Sequence, residues 1–170
     1  MKKLYITFLV LVLALAMIVP VGAVNADSPQ IDVNGGADFV MDPSSLVVDR
    51  FVGEKGVLIC SMAFFVTYTG DLEGEAYETL NGMVNFNTKS GAFYSEGMLT
   101  FEGTLLGKEG TFTAHVTHQG LGAECKVVQT IISGTGELAN LRGTIHFTVT
   151  QDVPGGPYTG TYSGKLHFAP

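Results

Sequence analysis

Residues 111–118 read TFTAHVTH, and their alternation decides the fold class. Phe112, Ala114 and Val116 share one parity with His118, while Thr111, Thr113, His115 and Thr117 share the other. A strand turns successive side chains to opposite faces, so a period of two with one apolar face marks a half-buried β-strand. Working outward, Ile145, Phe147 and Val149 oppose Thr144, His146, Thr148 and Thr150 in the same way. At the C-terminus Tyr158, Tyr162, Leu166 and Phe168 oppose Thr159, Thr161, Ser163, Lys165 and His167. The run Val57 to Thr69 is apolar on both faces and carries Phe64 beside Phe65, which suits a central strand with a bulge.

Turn residues separate these runs at hairpin intervals: Gly53 to Gly56, Gly70 to Gly74, Asn81-Gly82, Lys89 to Gly91, Gly107 to Gly110, Gly120 to Gly122 and Pro154 to Pro157. No stretch after Ala26 carries a helical stripe. About eight or nine strands joined by short loops are expected to form one antiparallel barrel, with a β-sandwich as the alternative, because closure removes exposed edges.

The chain opens with Met1, Lys2 and Lys3 and then runs largely apolar from Leu4 to Val19, ending at Pro20. This is the layout of a secretory signal, so residues 1–26 are read as a signal peptide cut before Asp27, with a cut after Ala23 as the rival. The competing reading, an uncleaved anchor, meets an apolar run that is short for a bilayer span of roughly 20 residues. The protein is therefore expected to be secreted or periplasmic, with no stable membrane insertion once the signal is removed. Residues 27–36 (DSPQIDVNGG) read as a flexible leader, and residues 37–170 as the barrel domain.

Removing residues 1–26 takes away two lysines and no acid, leaving seven basic side chains against sixteen acidic ones, a formal balance of −9. An acidic surface repels phosphate backbones, and no basic cluster is interleaved with aromatics, so nucleic acid is not an expected partner. Cys60 and Cys125 are the only cysteines. In an exported chain they suggest either one disulfide, which would stabilise by roughly 4 kcal/mol, or two buried thiols.

His115 and His118 lie three apart, so a regular strand points them to opposite faces, and no metal site is expected. Gly134, Gly136 and Ala139 fit a dinucleotide fingerprint, but no helix follows them, so they read as a hairpin corner and no cofactor is expected. Arg142 is expected to bond carbonyls of that turn, and Asp71, Glu73 and Glu75 to be solvated. Two polar residues stand on apolar faces: Glu78 follows the parity of Leu72, Ala76 and Leu80, and His118 that of Val116. A carboxylate in an apolar interior costs several kcal/mol unless paired, so Glu78 and His118 are the candidate acid and base unless a bulge turns them outward. Tyr158 and Tyr162 are the candidate ligand-binding hydroxyls at the same end of a lumen.

The segments Tyr68 to Glu75 (YTGDLEGE), Phe101 to Phe112 (FEGTLLGKEGTF), Ser133 to Gly143 (SGTGELANLRG) and Gly160 to Gly164 (GTYSG) resemble an uncharacterised bacterial family, a domain of unknown function similar to the allene oxide cyclase type of barrel. The resemblance spans most of residues 37–170 and implies an eight-stranded antiparallel barrel, as in allene oxide cyclases and dirigent proteins. It carries no catalytic residue over to a numbered position here. The function expected is binding of a small hydrophobic molecule without catalysis. The alternatives are a cofactor-free isomerase or cyclase using Glu78 or His118, and a filled barrel that acts through its surface as an interaction module.

Overall fold

The computed structural model describes residues 28–53, 56–86, 91–153 and 156–170, so the expected signal peptide, residues 1–26, and both candidate cut sites lie outside the described residues. Eight strands follow in order: β1 (Ile31–Val52), β2 (Val57–Gly70), β3 (Leu72–Asn85), β4 (Ala92–Leu105), β5 (Lys108–Leu121), β6 (Glu124–Gly136), β7 (Leu141–Thr150) and β8 (Tyr158–Phe168). Each pairs antiparallel with the next, and β1 pairs with β8, which closes the sheet into a barrel.

The alternation read at 111–118 is the inside and outside of this wall. Phe112, Ala114 and Val116 are buried, as are Ile145, Phe147 and Val149 on β7 and Tyr162 and Leu166 on β8. The two apolar faces of β2 have a separate cause. Its partner β1 shifts register between Asp42 and Val47, and the extra residues lie over Ala63, whose N–H donates to Ser45 Oγ at 2.7 Å. The bulge expected in β2 thus belongs to β1, and it hides an outward position of β2 from solvent.

Two glycine-bearing segments differ from their sequence reading. Residues 31–36 are not a leader: Ile31 to Gly36 pair with β8 from Leu166 to Thr161, and Val33 is buried. Gly35 is there for space, since a Cβ on it would sit 2.0 Å from the Thr69 carbonyl oxygen and 2.5 Å from the Tyr162 hydroxyl. Asn81-Gly82 is not a turn either, but the interior of β3, paired with β2 and β4 on its two sides. A Cβ at Gly82 would meet Ser95 Cβ at 2.4 Å, so glycine here permits close strand approach.

The two ends of the barrel are unlike. At one, the β2–β3, β4–β5 and β6–β7 turns are laced by the bonds Asp71 N–H to Asn34 O, Leu106 N–H to Asp71 O and Glu137 N–H to Glu109 O. Asp71, expected to be solvated, also accepts from the Asn34 N–H and Nδ2 through its carboxylate. Beneath these turns Leu72, Leu105, Leu138, Leu141 and Leu166 are fully buried, and Phe101 stacks on Phe112 at 4.6 Å. This end is filled solid, as a small barrel can be by its own side chains. The opposite end is where the wall opens.

Candidate functional site

At the open end the inward side chains leave a cavity of about 460 Å³. Its walls include Phe39, Met62, Phe64, Leu80, Phe93 and Tyr158, and its polar lining includes His118, Ser95 and Cys125. His118 reaches it from β5. The ring lies edge-on to Phe39 and tilted against Phe64, each at 6.1 Å between centroids, so aromatic walls fix its orientation. Behind it stands Glu78 on β3, with no solvent exposure, and its Oε1 lies 3.1 Å from His118 Nε2.

Parity alone brings both side chains inward, and the closed ring brings them together. Glu78 sits opposite Phe64 on β2 and Leu99 on β4, while His118 sits opposite Ser95 on β4 and Val127 on β6. The contact is an ion pair out of line for a hydrogen bond: among the described residues neither Glu78 oxygen, nor His118 Nε2, has an aligned partner. Burial is the largest influence on His118 and by itself lowers its pKa. The Glu78 carboxylate and the neighbouring Cys125 thiol together outweigh burial and raise it to about 9. The imidazole is therefore charged at neutral pH. A buried charge is tolerated only when paired, which Glu78 provides.

Below the pair the interior stays polar for one more layer. The Tyr68 hydroxyl donates to Gln129 Oε1 at 2.9 Å, and Gln129 Nε2 is buried without a partner. Burial pushes the Tyr68 phenol well above its ordinary value, and the charge of Glu78 adds to that shift.

The two candidate tyrosines separate. Tyr158 lines the cavity, but Tyr162 does not share its end. The Tyr162 hydroxyl accepts from the Leu72 N–H at 2.8 Å and lies 3.3 Å from the Thr69 carbonyl, so it fastens the β2–β3 turn at the filled end. Cys60 and Cys125 are both buried and both free. They stand on β2 and β6, four strands apart either way around the ring. With strands spaced about 4.8 Å, opposite walls exceed the roughly 7 Å over which Cα atoms can be bridged. His115 is exposed on the outer face, opposite to His118 as its spacing implied. Glu137 to Asn140 form the β6–β7 turn after Gly136, and Arg142 donates to the Leu141 carbonyl at 2.6 Å.

Residues 47–162 match the family described as a protein of unknown function, DUF3224. The chain belongs to the DUF3224 family. A solved structure of a DUF3224 protein of unknown function from Shewanella oneidensis MR-1 is 21% identical, with a TM-score of 0.63 over 84% of this chain and 100% of that one. No curated protein matches. Family and neighbour thus agree on the fold and supply no activity, so chemistry has to come from the cavity.

Within this DUF3224 barrel, the matched span contains Glu78, His118, Cys125 and Tyr158. Sequence reading missed Ser95, Gln129, Tyr68 and the placement of Cys125. Gln129 alternates with Val127 and Ile131, and Ser95 with Phe93 and Leu99, so the parity argument that found Glu78 and His118 reaches them too. Cys125 carried no such signal, because its neighbours across the barrel are invisible in one dimension.

Proposed function

We propose that this DUF3224 barrel is an exported binder of a small, largely apolar molecule held in the open end, with no catalytic turnover. The observation that carries this reading is the half-filled interior. The end near Leu72 and Leu141 is packed solid, whereas the other keeps a cavity of about 460 Å³ with Met, Phe and Leu walls and one charged pair at its floor. A concave apolar site with a few convergent polar groups is the usual form of a small-molecule pocket. The lysine-led apolar N-terminus supports export, and the volume argues against a barrel that works only through its outer surface.

A second reading rests on His118. Because it both lines the cavity and touches Glu78, the pair could shuttle a proton in a cofactor-free isomerisation of a flexible apolar substrate.

Native mass spectrometry of the exported protein, sprayed gently and then after denaturation, tests the binder. A small molecule released only on denaturation, and absent from a Met62→Trp variant that fills the cavity, is the expected result. If the protein comes out empty and also takes up no added long-chain ketone or alcohol, the binder reading is wrong. Consumption of a bound substrate, lost in His118→Asn, would favour the isomerase instead.

A further inference from the structure

Cys125 has no part in the binding described so far, yet three observations converge on it. It is a free thiol with 4% of its surface exposed, and it lines the cavity, which is therefore its route of access. Strand register sets it diagonally to His118: Gly120 pairs with Cys125 and His118 with Val127, so both side chains project inward from adjacent strands. Cys125 Sγ donates to the Lys126 carbonyl at 3.6 Å, its influence on the imidazole places it in the neighbourhood of His118, and Glu78 Oε1 lies 3.1 Å from His118 Nε2. Around His118 the remaining walls are Ser95 from β4 and the rings of Phe39 and Phe64, and Tyr158 of β8 lines the same cavity as Cys125.

We infer that Cys125, His118 and Glu78 form a thiol–imidazole–carboxylate relay that captures an apolar α,β-unsaturated carbonyl compound covalently inside the cavity. The inference rests on the binder reading and names its ligand class. An imidazolium beside a thiol is the arrangement by which proteins make cysteine nucleophilic, and Glu78 keeps His118 in that charged form. The apolar walls accept the hydrocarbon part of such a molecule. In the capture step Cys125 gives its proton to water, and a sulfur lone pair forms the bond to the β-carbon of the ligand. The C=C electron pair moves to the α-carbon, which takes a proton from His118, and His118 recovers one from water. No oxidant or reductant enters. Cys125 and His118 touch the ligand; Glu78 is a positioning residue that acts through His118.

Cys60 is an internal control within the same chain. It too is free and buried, but it lies outside the cavity, and burial with the Asp49 carboxylate pushes its thiol up. The test is to treat the folded protein with 3-decen-2-one, follow adduct formation by intact mass, and locate it by peptide mapping. In parallel, native mass spectrometry measures binding of the saturated 2-decanone, which cannot add. Cys125 is expected to react at least about tenfold faster than Cys60, and about tenfold slower in His118→Asn. In Glu78→Gln the adduct should form several-fold more slowly while 2-decanone still binds, a split that looser packing alone would not produce. If that variant does not fold, His118→Asn decides through its rate. Equal labelling of the two cysteines, or a rate indifferent to His118→Asn, overturns the relay. Should 2-decanone still bind in that case, the binder reading survives; if neither compound is taken up, both readings fall together.

Discussion

The two ends of one barrel, built from the same eight strands, do opposite things. The end at Leu72, Leu105, Leu138 and Leu141 buries side chains completely, and the Tyr162 hydroxyl and Asp71 carboxylate tie its turns together. The end at Phe93, His118 and Tyr158 has its turns tied in the same manner, by Phe86 N–H to Gly56 O, Gly122 N–H to Gly91 O and Gln151 N–H to Ala123 O, but keeps a cavity beside a buried ion pair. Stability and function are therefore expected to separate along the barrel axis. Leucine and phenylalanine fill the first end at the density of a core, which makes it costly to alter. The second accommodates change in its apolar walls but not in its charges.

The sharpest way to break this comparison is Phe101→Ala. Phe101 is fully buried and stacked on Phe112, so its loss should destabilise by about 3–5 kcal/mol in chemical denaturation. Ligand uptake by the variant that remains folded should be unchanged. A cavity that empties along with this change would show that the two ends are not independent.

Next in size is His118→Phe, which strands the Glu78 carboxylate in the interior. Removing one partner of a buried pair should cost about 3 kcal/mol or more, and Glu78→Met/His118→Phe together should recover most of it. If the single and double variants are equally unstable, the cost arises from packing of the ring and not from the pair.

The same pair predicts a pH dependence. The pKa of His118 is raised in the folded protein from 6.5 to about 9, so the folded state holds the proton more tightly than the unfolded chain does. The associated stability is fully present below pH 6.5 and is lost as pH rises through about 9. The loss should be on the order of 3 kcal/mol as an upper figure. Thermal melts between neutral pH and about pH 10 should fall in the natural protein and fall less in the double variant. Parallel curves would contradict the assignment.

Smaller effects grade the two ends. Tyr162→Phe removes one buried hydrogen bond at the filled end and should cost about 1 kcal/mol while leaving ligand uptake intact. Met62→Ala, on the half-buried wall of the cavity, should cost less than about 1.5 kcal/mol and should change which ligands are retained. If Tyr162→Phe alters ligand retention, or Met62→Ala leaves it intact, the two ends are not independent.

Much of this was legible in one dimension, for reasons particular to strands. Residues 111–118 and 144–150 place their apolar side chains on one parity because a wall with one wet face demands it, and Glu78 and His118 were found by breaking that parity. Gln129 and Ser95 break it equally and were within reach of the same rule. Glycine misled the reading twice. At Gly35 and Gly82 the missing Cβ serves close approach between strands, yet in sequence it looks the same as the freedom a leader or a turn requires. In sequence the β1 bulge reads as one in β2, because its effect, a hidden outward face at Ala63, appears on the partner strand.

The sequence by itself determined that this chain makes antiparallel strands and which side chains face inward along the clearly alternating ones, and it favoured a closed barrel over a sandwich. Only the tertiary structure decided which inward residues meet. Alternation specifies a face, but height along the axis and position around the ring depend on the register between strands. That register set His118 against Glu78 and beside Cys125, placed Cys60 on the opposite wall, and sent Tyr162 to the filled end and Tyr158 to the open one. Period two is local, whereas register is a property of the closed sheet.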